Sequence, residues 1–249
     1  MLALFLGSVC TVWPGSEIAQ RSLPELDAEG RPILTGAELT HATADGRFLI
    51  HYTQAGADSA GDDAKAAELL AWAEEGFSRT WAAFVDEDGW IPPHPDGTIG
   101  GDARLDVYVR ALDNNGYAHA QSVAGKQACW IELDPATRAF GQETFASIAG
   151  HELHHCLQFT VANSRVGGAF LYEGTATWAQ YLLFKGDPTI DLARQVLWQI
   201  RLGSSARALF ATGDRFEYAG MLWFKFLLDH GARAGRSRAR RAPRGRGGT

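Results

Sequence analysis

Between Asp62 and Val85 the apolar residues Ala66, Leu70, Ala73, Phe77, Trp81 and Phe84 recur at steps of three and four. That period predicts an amphipathic helix with its aromatic side chains in the core. Ahead of it, Arg47–Thr53 (RFLIHYT) has the composition of a strand. Trp90–Gly101 is rich in proline and glycine and reads as a loop. Leu105–Val109 alternates as a strand, Gln127–Leu133 reads as another, and Leu112–Ala118 between them is turn chemistry. After Gly141 the period becomes helical, over Gln142–Val161, Phe170–Phe184, Ile190–Leu202 and Phe216–Leu228. Breaks fall at Gly167-Gly168, at Gly186-Asp187-Pro188 and at Gly213. Strands first and helices afterwards predict an α+β fold in one domain, with no internal repeat.

Composition narrows the partners. The net charge of −6 is an average over two unlike parts of the 249 residues. Residues 231–249 hold seven arginines and no acid, which leaves 16 basic against 29 acidic residues in the body. A body near −13 argues against nucleic acid as its partner, because phosphate binding needs basic surface. The tail of Gly, Ala, Arg and Pro has no apolar period and is expected to be disordered. It reads either as a basic arm for an anionic partner or as an out-of-frame end in GC-rich codons. No apolar run approaches the roughly 20 residues a membrane span needs. Leu2–Val9 (LALFLGSV) resembles the apolar core of a secretory signal peptide, although no Lys or Arg precedes it. Residues 1–20 are therefore read as a partial signal peptide and the product as secreted or periplasmic. Residues 21–45 are read as an N-terminal extension or propeptide-like segment, 46–230 as the domain, and 231–249 as the tail. With Cys10 in the leader, Cys129 and Cys156 remain as a disulfide pair or as two buried thiols.

The chemistry concentrates in Gly150–Phe159, GHELHHCLQF. On a helix, His151 and His155 share one face and can grip one zinc ion through their imidazoles. Glu152 stands beside the first of them, within reach of a metal-bound water without being a ligand. With 8 histidines in the chain, this HExxH pattern arises by chance in roughly one chain in a hundred of this makeup. The metzincin continuation requires Gly at 158 and His at 161, where this chain has Gln158 and Val161. A third ligand from a following helix is available instead. Glu173 lies 18 positions beyond His155, across the Gly167-Gly168 break. Two histidines and one carboxylate leave a fourth zinc position open, as catalysis requires.

HELHHCLQF followed by LYEGTATWAQ resembles the gluzincin arrangement of zinc peptidases. More narrowly, the chain is similar to secreted metalloproteases known mainly from myxobacteria and similar bacteria. FLIHYTQAGADSA, DEDGWIPPHPDG, LDVYV and YAGMLWFKFLLD carry the likeness beyond the motif, over about Gly46–Asp229. The resemblance implies a zincin-like fold, a small mixed sheet over the motif helix with a helical second half. It implies Zn2+ held by His151, His155 and Glu173, Glu152 as catalytic base, and a protein or peptide substrate.

Other residues have weaker claims. Tyr218, with His230 behind it, is read as an oxyanion stabiliser or a core tyrosine. Thr177, one turn after Glu173, is placed to hydrogen-bond the ligand carboxylate or simply to pack. His154 is expected beside the site or facing solvent. Gln127–Leu133 is the expected edge strand for aligning substrate by β-addition. Asp113-Asn114-Asn115 reads as a turn before it reads as a calcium loop. The rival functions are a zinc-binding but catalytically silent domain, and nucleic-acid binding through the arginine tail.

Overall fold

The computed structural model describes residues 25–161, 168–185, 217–228 and 230. The apolar run at the N-terminus, the helix expected over Ile190–Leu202 and the arginine tail lie outside these residues. The fold is mixed α+β. Five strands, β1 (Glu38–Ala42), β2 (Phe48–Thr53), β3 (Leu105–Val109), β4 (Gly116–Val123) and β5 (Lys126–Leu133), form one sheet in the order β1-β2-β3-β5-β4. β2, β3 and β5 run parallel, and the outer strands β1 and β4 run antiparallel to their neighbours. Helix α1 (Asp63–Trp81) is the crossover between β2 and β3. Asp62 caps it by accepting from the Lys65 amide, and a π-helical stretch, Ala82–Glu87, ends it. Helices α2 (Gln142–Val161) and α3 (Gly168–Leu183) follow the sheet. A tight turn at Tyr218–Gly220 then leads into a helical stretch over 221–228. Among the described residues, no helix is long and apolar enough to cross a membrane.

The strand period decides what each face carries. Phe48, Ile50, Val107, Val109, Cys129, Ile131 and Leu133 point one way, into a core shared with α1 and α2. Phe48 stacks on Phe77 of α1 with ring centroids 4.6 Å apart, and both are fully buried. The alternate positions His51, Asp106, Tyr108, Trp130 and Glu132 point the other way and are buried too. Residues 25–36 cover them. Arg31, 1% exposed, bonds Asp96 at 2.5 Å, lies 3.4 Å from Asp106, and places its guanidinium over the Trp130 ring. Leu34 packs with Tyr108 and Trp130. The sheet and its cover thus include β1 and residues 25–36, which the sequence reading assigned to an N-terminal extension.

Cys129 of β5 and Cys156 of α2 form a disulfide. It closes a loop of 27 residues, worth about 3–4 kcal/mol on the chain-entropy model. It also fixes α2 to the sheet one residue beyond His155.

Candidate metal centre

Helix α2 is buried on nearly all sides from Thr144 to Leu157. Phe145, Ile148 and Leu157 reach the core as the period requires, but the face with His151 and His155 is covered as well. On that covered face the two histidines have polar partners. The two rings meet edge to face with centroids 4.6 Å apart, and their Nε2 atoms lie 3.0 Å apart. Glu173 comes from α3, and its Oε2 is 3.4 Å from each Nε2. Donors held at zinc distances of about 2.0–2.1 Å around a tetrahedron stand about 3.3 Å apart. The three separations match that edge length. Among the described residues, these three alone form a group of His, Cys, Asp or Glu able to hold a metal ion.

The three groups also bias one another's protonation. Burial pushes His155 down to about 4, the pull of Glu173 offsetting it only in part. The His155 ring is therefore neutral at neutral pH. Burial would lower His151 as well, but Glu173, Glu152 and Gln180 outweigh it and hold His151 above its ordinary value. Burial would raise Glu173, yet the two imidazoles hold it well below the carboxylate range. The raised His151 and the lowered Glu173 form an ion pair about the point where the three donor atoms converge.

The rings are held from behind. His151 Nδ1 meets Gln180 Oε1 at 2.9 Å, and His155 Nδ1 meets Gln158 Oε1 at 2.7 Å. Tyr172 stacks on His155 at 3.8 Å with an interplanar angle of 5°. Glu152 is buried beside them at the start of β4. A Cβ on Gly116 would stand 2.9 Å from Glu152 Cγ and 3.1 Å from its Oε1, so glycine there makes room for the carboxylate. Gly116→Ala is expected to displace Glu152 and lower any turnover about tenfold or more while leaving zinc stoichiometry unchanged. Parallel assays of metal content and hydrolysis check this. Loss of both together would assign the effect to collapse of the site.

β4 is also the edge strand. Gln127–Leu133, expected in that place, lies within β5 and is paired on both sides, with β3 and with β4. β4 is last in the sheet, and no strand pairs with its outer side among the described residues. It begins in the segment read as turn chemistry. Asp113 accepts from Tyr117 Oη at 2.8 Å, and Asn115 C=O accepts from the Asp134 amide, which makes the segment the turn into β4.

Three further residues from the sequence reading fall among the described ones. His154 is neither beside the donors nor in solvent. It is fully buried between Phe84 and Trp90, with no hydrogen bond at either nitrogen, and burial keeps it neutral. Thr177 is buried, and among the described residues its hydroxyl has no hydrogen-bond partner, Glu173 included. Tyr218 lies in the turn that packs on α3 where Gly220 approaches Gly174, the residue after Glu173. Its ring packs against Ala219 and Met221 in a cluster that also includes Trp178 and Tyr181. Sequence reading missed Gln158, Gln180, Ser147, Tyr172 and Thr175. Gln158 carried a legible signal, one turn after His155, but was weighed only as the absence of a glycine.

Comparison with family models, with curated proteins and with solved structures finds no match for this chain.

Proposed function

We propose that the chain is a zinc-dependent peptidase of gluzincin type on a zincin-like fold. The observation that carries this reading is the set of three donor atoms at 3.0, 3.4 and 3.4 Å, buried and converging on one point. His151, His155 and Glu173 would hold the ion, and their three-donor set leaves the remaining position for water or substrate. Zinc in that place supplies Lewis acidity, polarising the scissile carbonyl and making an attacking water more acidic.

The residues do the rest. Glu152 is a carboxylate next to the first ligand and is not itself one of the donors. It takes the proton from the attacking water and returns it to the departing amine. An extended peptide can lie along the outer side of β4, hydrogen-bonding its backbone groups to the strand. Gly116, the first residue of that strand, borders Glu152, so a peptide so placed passes the base. Tyr218 is the proposed oxyanion stabiliser, on the turn seated against α3 next to Glu173. The single disulfide suits an oxidising compartment, in keeping with a secreted or periplasmic product.

The test pairs metal content with cleavage of an unfolded protein such as casein. The wild type is expected to hold one zinc per chain and to cleave, and His151→Ala is expected to lose both. Wild type without zinc ends the reading. Stoichiometric zinc without cleavage identifies a silent zinc-binding domain instead.

A further inference from the structure

We propose that Gln158 and Gln180 are the positioning residues of the metal centre and act as a reciprocal clasp between α2 and α3. The proposal rests on the metal reading above. Each glutamine amide is oriented by its own NH2 group, independently of the histidine it meets. Gln158 Nε2 donates to the Tyr172 carbonyl at 2.9 Å and to Thr175 Oγ1 at 2.5 Å. Thr175 gives its own hydroxyl proton to the Leu171 carbonyl at 2.7 Å, so towards Gln158 it can only accept. Gln180 Nε2 donates to the Ser147 carbonyl at 3.2 Å and to Ser147 Oγ at 3.0 Å. Turning either amide over would set carbonyl against carbonyl. Both Oε1 atoms must therefore face the imidazoles, and both Nδ1 atoms must carry the proton. On neutral rings, that leaves the Nε2 lone pairs of His151 and His155 directed at Glu173.

The anchoring is reciprocal. Gln158 stands on α2 and is held by α3; Gln180 stands on α3 and is held by α2. Ligand orientation and helix docking are thus one equilibrium, and whatever loosens α3 from α2 also frees the rings to turn. Without its acceptor, His155 has a competing choice. It can carry its proton on Nε2 and donate to Glu173, 3.4 Å away, which occupies the metal position. The acceptors are neutral amides, so they fix the tautomer without adding charge behind the ligands.

The probe is zinc alone, measured by competition with a chromogenic chelator on the full chain. Gln158→Met and Gln180→Met keep length and lose the acceptor. Each is expected to weaken zinc binding about 10- to 100-fold. Thr175→Val leaves both glutamines in place but removes one anchor, and is expected to weaken binding several-fold. Nitrogen-15 spectra of the zinc-free chain are expected to show His155 protonated at Nδ1 in wild type and at Nε2 in Gln158→Met. Methionine variants that bind zinc within twofold of wild type overturn the clasp while leaving the metal reading intact. So does a Gln158→Met chain that loses zinc affinity while His155 keeps its proton on Nδ1, because the effect is then general packing. Wild type that binds no zinc removes the metal reading and the clasp with it.

Discussion

Glu152→Gln is expected to lower peptide hydrolysis by roughly 100- to 10,000-fold and to leave zinc content unchanged. Glutamine keeps the volume of the side chain, so the tight approach of Gly116 is undisturbed. It cannot take a proton from water at neutral pH, so general-base and general-acid assistance disappear together. The metal is spared because Glu152 is not among the three donors. A neighbouring negative charge that helps raise His151 is also removed, so its affinity for a proton should fall slightly. Zinc content and turnover measured on the same preparation read the outcome. Turnover within threefold of wild type would remove Glu152 from its role, whatever the metal content.

Arg31→Ala is expected to produce the largest loss of stability, about 3–5 kcal/mol near neutral pH. Arg31 is the cation between Asp96 and Asp106, and all three side chains are almost fully enclosed. Removing it leaves two carboxylates facing each other beneath the sheet, and the remaining cationic partner, His51, reaches Asp106 at 3.2 Å. Burial and the charge of Asp106 already push Asp96 up to about 6 against the pull of Arg31. A carboxyl raised on folding opposes the folded state above that pH, and the opposition fades as pH falls through about 6. Without Arg31 the carboxyl rises further, so the variant should recover stability on acidification more steeply than wild type. His51 reinforces this trend. Burial would lower it, but Asp106 and Glu38 hold it above its ordinary value, so it is charged in acid and its contribution fades as pH rises. Urea unfolding at pH 5 and pH 7.5 checks the claim. An equal deficit at both pH values would show that Arg31 acts through packing on Trp130 and not through the carboxylates.

Sequence reading succeeded where local geometry alone decides the outcome. The three- and four-residue steps located α1, α2 and α3 to within a few residues, and Trp81 lies partly buried against the core while Phe84 is buried in a neighbouring cluster. His151, Glu152 and His155 were legible because helical spacing places the first and third on one face whatever the rest of the chain does. Glu173 followed from coordination number, and the structure sets its carboxylate against both rings. The outer strands were not legible. β1 (ELTHA) and β4 (GYAHAQSV) have no apolar run, and they are strands because a neighbour offers hydrogen bonds, which composition does not record. Arg31 was equally invisible, because a lone arginine in a polar segment normally faces solvent. His154 misled for a related reason: beside two ligands it resembles part of the site, yet the helix turns it the opposite way into aromatic packing. Gln158 and Gln180 act across two helices, and no spacing within one helix reveals a partner on the other.

All three donors of the proposed metal centre come from residues 151–173, a short stretch of a chain whose sheet draws strands from positions 38–133. Contacts between residues close in sequence close small loops, and these form faster than long-range strand pairings. The histidine pair exists as soon as α2 winds, and Glu173 needs only the neighbouring helix to join it. What makes the centre an enzyme-like site comes from farther away: Gly116 on the edge strand and the bridge to Cys129 both await the sheet. In the proposed reading, assembly of the donors is a local event in the history of the chain, and assembly of the base with its edge strand is a global one. A folding intermediate in which α2 and α3 have met, with β4 still unpaired, would already bring the three proposed donors together and would not yet have the edge strand beside Glu152.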